Sequence, residues 1–550
     1  MSRQSQTRTL PVWLHDVQTA GDKLSLFLRE GEVIDITAQT LHDNAPARIN
    51  LLSGQRGPSS TMGIEAPCIS RVESDSHGLI VSWNEGAPDH YPFDVLQQYW
   101  LSPAAVSAPT LWDAADASLL PVFDYDGYLH DDDMLECVLA ALLRYGFVRL
   151  SHAPREPEEV ETAIARFGYV RETNYGRVFD VRIKPQAVNL ADTDEGLEPH
   201  TDNPYRNPVP GLQLLHALQA ADSGGGSVLV DGFWAAAILK AENPEGYALL
   251  RDYPATFGWS DGYHFFTATA PVITEDRCGD CCAIRFNHRA FRCADVPVEL
   301  AAQWRQAYRA LGHIIENNDL RFRYTLNPGD MVLMDNERIL HGRDAYQSQV
   351  HARWLQGTYA DKDAVRSTLA RLVRNSVETV VDEISALFAG EKAQQHYGEA
   401  VSIAGHMLQT AANLAADGES DALVAAGLLH DIGWMLAAEE GHEDSGADYL
   451  LQRFGTVVSE PVRLHVAAKR WLVATSPHYF DTLSDESRRT LVRQGGPMPE
   501  QDCAGFAGHP FFRHAIALRL ADDQGKSTEV QAGTIEDYLP LIRRLAFRTA

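Results

Sequence analysis

Two clusters of metal-binding side-chain types stand far apart in this 550-residue chain. The first is Pro199-His200-Thr201-Asp202-Asn203-Pro204-Tyr205. His200 and Asp202 sit two apart, a spacing that places both side chains on one side of a strand or lets them converge where a strand gives way to a loop. Two imidazoles and one carboxylate on one face, with the opposite face open, form the donor set of a mononuclear non-haem Fe(II) centre. His341, in Asp335-Asn336-Glu337-Arg338-Ile339-Leu340-His341-Gly342-Arg343, supplies the second imidazole, and Arg353 follows twelve residues later. His-x-Asp alone is a weak signal. Followed by a distant His and then an Arg, it is a specific one. His216 and His288 read as structural.

The second cluster is His430-Asp431, preceded by Ala425-Ala426-Gly427-Leu428-Leu429. A lone His-Asp doublet says little. His406, His442, His465 and Asp522 around it add up to four histidines and two aspartates, enough to hold two metals bridged by Asp431. Gly398-Glu399 lies just upstream.

The elements that must carry these residues change character along the chain. Short strand-like runs with Gly, Pro and Asp-Asn turns fill residues 1–105 and predict a small β-domain. A linker-like stretch covers 106–120. A helix is expected over Asp131–Tyr145, then strands at Gly146–Leu150, Gly211–Ala217, Ser227–Val230, Cys282–Phe286, Met331–Met334 and Trp354–Tyr359. That density suits a double-stranded β-helix (jelly roll), in which distant strands bring ligands to one mouth. After Asp361 the spacing turns helical, at Arg366–Ala389, Ala411–Ala416, Ala422–Leu429 and Val462–Val473. The fold class is therefore multidomain: an N-terminal β-domain over 1–105, a jelly-roll core over 106–370 and an all-α domain over 376–550.

Composition narrows the partners. The net charge of -28 argues against a nucleic-acid or membrane-surface binder. There is no run of 18 apolar residues and no apolar leader, so a cytoplasmic location is expected. Seven scattered cysteines fit a reducing compartment, and the Cys278, Cys281, Cys282, Cys293 group reads as free thiols more readily than as a zinc knuckle.

Asn174-Tyr175-Gly176, Phe179-Asp180-Val181, Asn189-Leu190-Ala191, Pro199–Tyr205, Pro210–His216 and Arg353-Trp354-Leu355-Gln356-Gly357 together resemble the gamma-butyrobetaine hydroxylase family, a branch of the taurine-dioxygenase-like 2-oxoglutarate oxygenases. The resemblance covers most of residues 1–370. It implies Fe(II) held by His200, Asp202 and His341, with 2-oxoglutarate and O2 as co-substrates. Arg353 would receive the far carboxylate of 2-oxoglutarate as a bidentate fork, with Ser227 as a hydroxyl partner. The family grips a trimethylammonium in an aromatic cage by cation–π attraction. The matching positions are Tyr175, Phe179, Asp192, Asn203 and Tyr359. Tyr175 and Tyr359 keep the family residue and Phe179 keeps a ring, whereas Asp192 and Asn203 replace tyrosines. A carboxylate accepts from N–H, and a quaternary ammonium has none to give, so Asp192 points to an amine with fewer methyl groups. Asn189 and Asn287 match positions that bind the substrate's anionic end. The family's N-terminal zinc cysteines are missing from Asp43-Asn44-Ala45-Pro46-Ala47-Arg48, so no zinc is expected there. Family members are often dimeric, which makes a homodimer the expected assembly.

The stretches Gly398–Ser402, His406–Gln409, Pro461–Arg470, Gln494–Met498 and Leu518–Asp523 resemble the phosphonate-cleaving, mixed-valent diiron HD oxygenases. That resemblance implies two irons held by His406, His430, Asp431, His442, His465 and Asp522. It also implies a phosphonate held by Lys469 and Arg519 with Ser487 and Thr490, and a guarding Glu399. Two positions depart from it: His396, beside Tyr397, stands where a tyrosine is common, and Trp434 where a histidine is common. The combined expectation is a bifunctional enzyme acting on a small aminoalkylphosphonate such as 2-aminoethylphosphonate. The alternatives are a betaine-type hydroxylase fused to an HD phosphohydrolase or to a regulatory, ligand-sensing HD domain.

Overall fold

The computed structural model describes residues 10, 14–20, 22–28, 33–50, 53–56, 66–75, 77–96, 108–116, 122–183, 190–221, 223–347, 353–396, 398, 400–436, 441–476, 478–528 and 532–546. By its internal contacts the chain divides into two compact units, one of residues 104–372 and one of residues 1–103 with 373–549.

In the 104–372 unit, a six-stranded sheet runs in the order Val122–Asp124, Phe147–Ser151, Met331–Asp335, Leu212–Gln219, Trp354–Ala360, Phe179–Val181. A four-stranded sheet runs Leu197–His200, Ile339–Arg343, Ser227–Asp231, Phe322–Tyr324. Phe147, Ala217, Val332, Met334 and Leu355 of the first sheet bury against Leu229 and Ile339 of the second, forming a sandwich of the jelly-roll kind. Met331–Asp335 is buried at every position, unlike a strand with one wet face. Its outer side is covered by the helix Asp132–Tyr145, capped by the Asp131 carboxylate at its N-terminus and by left-handed Gly146 at its end.

The expected linker over 106–120 is packed where it is described. Trp112 is buried against Phe147, and its indole N–H donates to the Tyr145 carbonyl at 2.7 Å. The nearby Pro103 and Pro109 suggested a connector; one tryptophan with a partner for its N–H overrides that. The strand expected at Cys282–Phe286 is the short Cys281–Ile284.

Residues 14–96 hold two three-stranded antiparallel sheets around Leu24, Leu26, Val81 and Tyr91. The first strand described is Leu14–Thr19. In the Asp43–Arg48 stretch, Arg48 pairs with Asp89 at 2.5 Å.

The C-terminal part is helical throughout. Helices Ile403–Ala416, Asp421–Leu429, His442–Phe454, Thr456–Thr475 and Phe512–Gln524 share one apolar core that includes Met407, Val424, Leu428, Leu450, Val462 and Leu518. Ser402 and Ser420 cap the first two of these helices through their hydroxyls. Among the described residues no helix is long and apolar enough to cross a membrane.

Candidate functional sites

Strand pairing creates the first site. Leu197–His200 lies antiparallel to Ile339–Arg343, with His200 directly opposite His341. Cross-strand partners share a face, and the two rings stand 4.6 Å apart between centroids. Asp202 lies just past the strand end. The fully buried Asn336 clamps that exit: its Oδ1 accepts the Asp202 backbone N–H (2.7 Å), and its Nδ2 donates to the carbonyls of Asp202 (3.0 Å) and Pro210 (2.9 Å). The Asp202 carboxylate then faces both imidazoles, at 3.4 Å from His200 Nε2 and 3.8 Å from His341 Nε2. One donor atom of each of the three lies within 4.8 Å of the others.

The donors are prepared for a cation. His200 Nδ1 is bonded to the Glu198 carbonyl at 2.8 Å, which leaves Nε2 facing inward. Burial pushes His341 down to about 4, so its ring is neutral and keeps a lone pair. Burial opposes ionisation of Asp202, yet His341, His200 and Tyr359 hold its carboxyl well below the usual range. Its Oδ2 accepts from Gln213 Nε2 (2.6 Å) and Tyr359 Oη (2.7 Å). The triad opens on a cavity of about 590 Å³. The buried Arg353 lines it beside Ser227, with Nη1 unpartnered among the described residues. Burial and nearby Arg343 lower that guanidinium to about 10. A buried cation with an unused N–H fits a bound carboxylate.

The amine-side residues gather in the same cavity. Tyr175, Phe179, Asp192, Asn203 and Tyr359 all line it. Phe179 stacks on Tyr359 at 5.0 Å, and Tyr175 packs edge-on against Trp259 at 5.7 Å. Asn203, left-handed at φ 52°, accepts from Tyr205 Oη at 2.8 Å, and that hydroxyl lies 3.0 Å from Tyr175 Oη. Arg343 donates to the carbonyls of Ala191, Thr193 and Glu195 and so fixes the loop that carries Asp192. Asn287 also lines the cavity, but its carboxamide serves the backbone, donating to Thr201 O and accepting from Ala290 N. Asn189 lies outside the described residues.

Several wall residues escape sequence reading. Tyr205 and Trp259 extend the aromatic surface, and Arg289 and Arg292 add positive charge. Arg289 Nη2 reaches to 2.9 Å from His200 Nε2. Asn287-His288-Arg289 carries no spacing signal for this; only the fold turns Arg289 toward the triad. His216 and His288 lie outside the triad. His216 is fully buried with both ring nitrogens unpartnered among the described residues, and His288 is exposed near Tyr308.

The second site is built on helices. His406 Nε2, His430 Nε2 and Asp431 form one three-donor group, and Asp431, His442 Nε2 and His465 Nε2 form another. The two oxygens of Asp431 divide the work. Oδ2 lies 3.6 Å from His430 and 3.9 Å from His406; Oδ1 lies 3.2 Å from His442 and 3.9 Å from His465. Asp522 joins the first group, 3.1 Å from His406 Nε2. Every outer ring nitrogen has an acceptor: Gly525 O for His406 (2.9 Å), Gly427 O for His430 (2.8 Å), Val462 O for His465 (2.6 Å) and the Glu443 carboxylate for His442 (3.2 Å). All four Nε2 atoms therefore face inward, as metal-holding imidazoles require. Burial and the adjacent His442 and His430 push His465 down to about 3. The residues present fit two metal ions sharing Asp431.

Trp434, the departure after the doublet, stacks on His442 at 4.5 Å. Gly433 beside it is obligatory, because a Cβ there would stand 2.1 Å from the His442 carbonyl oxygen. His396 is exposed, and Tyr397 and Glu399 lie outside the described residues. Lys469 and Arg519 are both buried. Lys469 donates to Thr490 Oγ1 at 3.0 Å, and Arg519 donates to Asp522 Oδ2 at 2.5 Å. Ser487 is buried one turn before Thr490 and accepts from Lys526 at 2.8 Å, a cation the sequence reading missed.

Comparison with known proteins places the first site in a family. Residues 108–359 match the model described as taurine catabolism dioxygenase TauD, TfdA family. Gamma-butyrobetaine dioxygenase of Pseudomonas sp. (strain AK-1) is 33% identical over 310 residues, spanning 54% of this chain and 80% of that protein. The Homo sapiens gamma-butyrobetaine dioxygenase is 34% identical over 264 residues, 47% of this chain and 68% of the relative. A [1-hydroxy-2-(trimethylamino)ethyl]phosphonate dioxygenase (glycine-betaine-forming) of Leisingera caerulea is 35% identical over 176 residues, 30% of this chain and 90% of the relative. With the facing histidines, the shared aspartate and the buried arginine of the cavity in place, the chain belongs to the TauD/TfdA family of Fe(II)- and 2-oxoglutarate-dependent dioxygenases.

Proposed function

We propose that the chain carries out two consecutive oxidations of an aminoalkylphosphonate, one in each metal-binding region. The carrying observation is the joint presence of the open His200–Asp202–His341 triad and of the Asp431-centred set with Lys469, Arg519, Ser487 and Thr490 beside it. The length of the Leisingera caerulea relative supports the second half. Nine-tenths of that protein lies within 176 aligned residues, so its whole chain is shorter than the 108–359 stretch matched by the TauD model. Its match is thus naturally read onto the helical residues 376–550.

In the first step, one C–H bond next to phosphorus becomes C–OH while 2-oxoglutarate and O2 become succinate and CO2. Iron held by His200, Asp202 and His341 supplies the oxidising chemistry when bound. Arg353 and Ser227 hold the far carboxylate of 2-oxoglutarate. Tyr175, Phe179 and Tyr359 seat the amine end, where Asp192 accepts N–H bonds that a trimethylammonium cannot offer. Arg289 and Arg292 supply the charge that a phosphonate end requires.

In the second step, the 1-hydroxyphosphonate and O2 give a carboxylate and phosphate. For 2-aminoethylphosphonate these are glycine and phosphate. The carbon loses four electrons, O2 accepts all four, and no external reductant is needed. Lys469 and Arg519 hold the phosphonate oxygens next to the metal ligands.

The test is phosphate release from 2-aminoethylphosphonate with Fe(II), 2-oxoglutarate and air. Stoichiometric glycine, succinate and phosphate are expected. Steady succinate without phosphate would sink the second step and leave a hydroxylase alone.

A further inference from the structure

We infer that Tyr324 is a third donor to the far carboxylate of 2-oxoglutarate, beside Arg353 and Ser227. The inference rests on the reading that Arg353 and Ser227 seat that carboxylate, and it adds a residue that neither the spacing nor the family resemblance assigned.

Strand register puts Tyr324 at this seat. Ser227 is paired on one side with Tyr324 and on the other with Arg343. Cross-strand partners share a face, so the Tyr324 side chain leaves the sheet on the same side as Ser227. Both line the cavity, and so does Arg353. The groups that act on the buried Arg353 guanidinium are Arg343, Tyr346 and Tyr324, and none of them is an acid. The buried Tyr346 ring lies 4.7 Å from the Arg343 guanidinium and 5.6 Å from that of Arg353. The Arg353 charge is thus met by π faces and hydroxyls, with no carboxylate in that neighbourhood.

The Tyr324 hydroxyl is a buried donor that lacks an acceptor. Burial pushes its phenol up, so it keeps its proton. Its Oη makes no well-formed hydrogen bond among the described residues. The Ser227 hydroxyl bears on it as a donor does, by favouring the phenolate, which leaves the phenol proton unused. Asp330 is the acid whose field reaches it, and that carboxylate is turned elsewhere. Asp330 Oδ2 accepts from Asn327 N at 2.9 Å and Asn327 Nδ2 at 3.2 Å, and stands 3.8 Å from Arg149 Nη2. A buried O–H without an acceptor is costly, and a ligand that supplies one removes the cost.

The surroundings select the ligand. Arg149 stands over the Tyr324 ring at 5.0 Å, and its strand position is opposite Val332, a residue of the cavity wall. Phe322 stacks on the same ring at 5.2 Å, so the ring is held in place. Arg149 and Arg353 both stabilise negative charge at the phenol oxygen, which makes the hydroxyl a stronger donor. A carboxylate answers all three groups at once. Its two oxygens offer about four lone-pair sites, enough for the unused Arg353 Nη1 and for two hydroxyls.

The experiment uses the full-length, Fe(II)-loaded chain without oxygen, as wild type, Tyr324→Phe and Arg353→Met. Calorimetry measures binding of 2-oxoglutarate and of pyruvate, a 2-oxo acid that lacks the far carboxylate, and iron per chain is counted. Tyr324→Phe is expected to weaken 2-oxoglutarate binding by about ten- to hundredfold, the loss of one charge-assisted bond. Pyruvate binding and iron content should hold. In turnover, KM for 2-oxoglutarate should rise by the same factor while KM for the phosphonate stays put. Unchanged 2-oxoglutarate affinity would overturn the inference. So would an equal loss for both acids, because Tyr324 would then shape the site without gripping the carboxylate. Arg353→Met tests the reading underneath. If it keeps full 2-oxoglutarate affinity, the far carboxylate is seated elsewhere and that reading fails. If it loses affinity while Tyr324→Phe does not, the seat stands and only the role of Tyr324 falls.

Discussion

The two donor clusters gather their side chains by different means. In the jelly roll, His200 and His341 meet because strand register sets them opposite each other, and Asp202 needs an outside clamp, Asn336, to complete the set. In the helical part, His430 and His465 are steadied by carbonyls three residues earlier in their own chain, Gly427 and Val462. The first arrangement spends three donors and leaves a large cavity beside them. The second gathers six and surrounds them with buried cations. A site that must admit a co-substrate and an organic substrate together keeps its donor count low. The helical cluster instead spends its residues on donors and on buried cations beside them.

This contrast can be broken most severely at His200. His200→Ala is expected to abolish consumption of 2-aminoethylphosphonate and to leave cleavage of its 1-hydroxy form intact, both followed by phosphate release. Loss of both activities would show that the regions do not work separately. Next in size is Gly433→Ala. The new methyl collides with the His442 backbone, so iron content should fall and hydroxyphosphonate cleavage should drop about ten- to hundredfold, with succinate formation unchanged. Full iron loading in that variant would mean that the helical site tolerates displacement better than its packing suggests. Asp192→Tyr restores a ring to the cavity wall and should shift the kcat/KM ratio of trimethylated over unmethylated substrate upward by about tenfold. An unmoved ratio would remove Asp192 from amine selection.

The smallest effect concerns the jelly roll's stability. His216 is fully buried with no partner among the described residues, and burial pushes it down to about 4. The unfolded chain therefore takes up a proton near pH 6.5 that the folded chain refuses, and stability falls as pH drops from about 6.5 toward 4. At pH 5 the cost is about 2 kcal/mol. His216→Leu should flatten the fall in urea midpoint between pH 7 and pH 5, and an equal fall in both proteins would refute the role of this ring.

The sequence made the ligands easy to find because their chemistry is carried by residue type. A His-x-Asp with a distant His, and a His-Asp doublet among further histidines, leave few other uses for those side chains. The helix Asp132–Tyr145 was legible from apolar spacing and the glycine at its end. What spacing could not reveal is whatever depends on the return of distant segments. Asn336 matters because it reaches the strand exit at Asp202. Arg289 points at His200 only because the turn at 287–290 is closed by the Asn287 carboxamide, a side chain that resemblance alone assigns to substrate. Trp112 looked like part of a connector until its partners were seen. Lys526 is one lysine among many until the helix ends at Gln524 and turns it toward Ser487.

Tyr359 carries a consequence for how substrate range can drift. Its ring stacks on Phe179 in the cavity wall, while its hydroxyl donates to the Asp202 oxygen. One side chain thus belongs both to the cavity wall and to the surroundings of the triad, and exchanging it would disturb both. Among the described residues the Asp202 carboxylate accepts from Gln213 and Tyr359, and the two positions where this chain leaves the betaine-binding pattern, Asp192 and Asn203, are not among its donors. Exchanges at those two positions leave the Gln213 and Tyr359 bonds to Asp202 in place, so substrate range can drift there without retuning the triad.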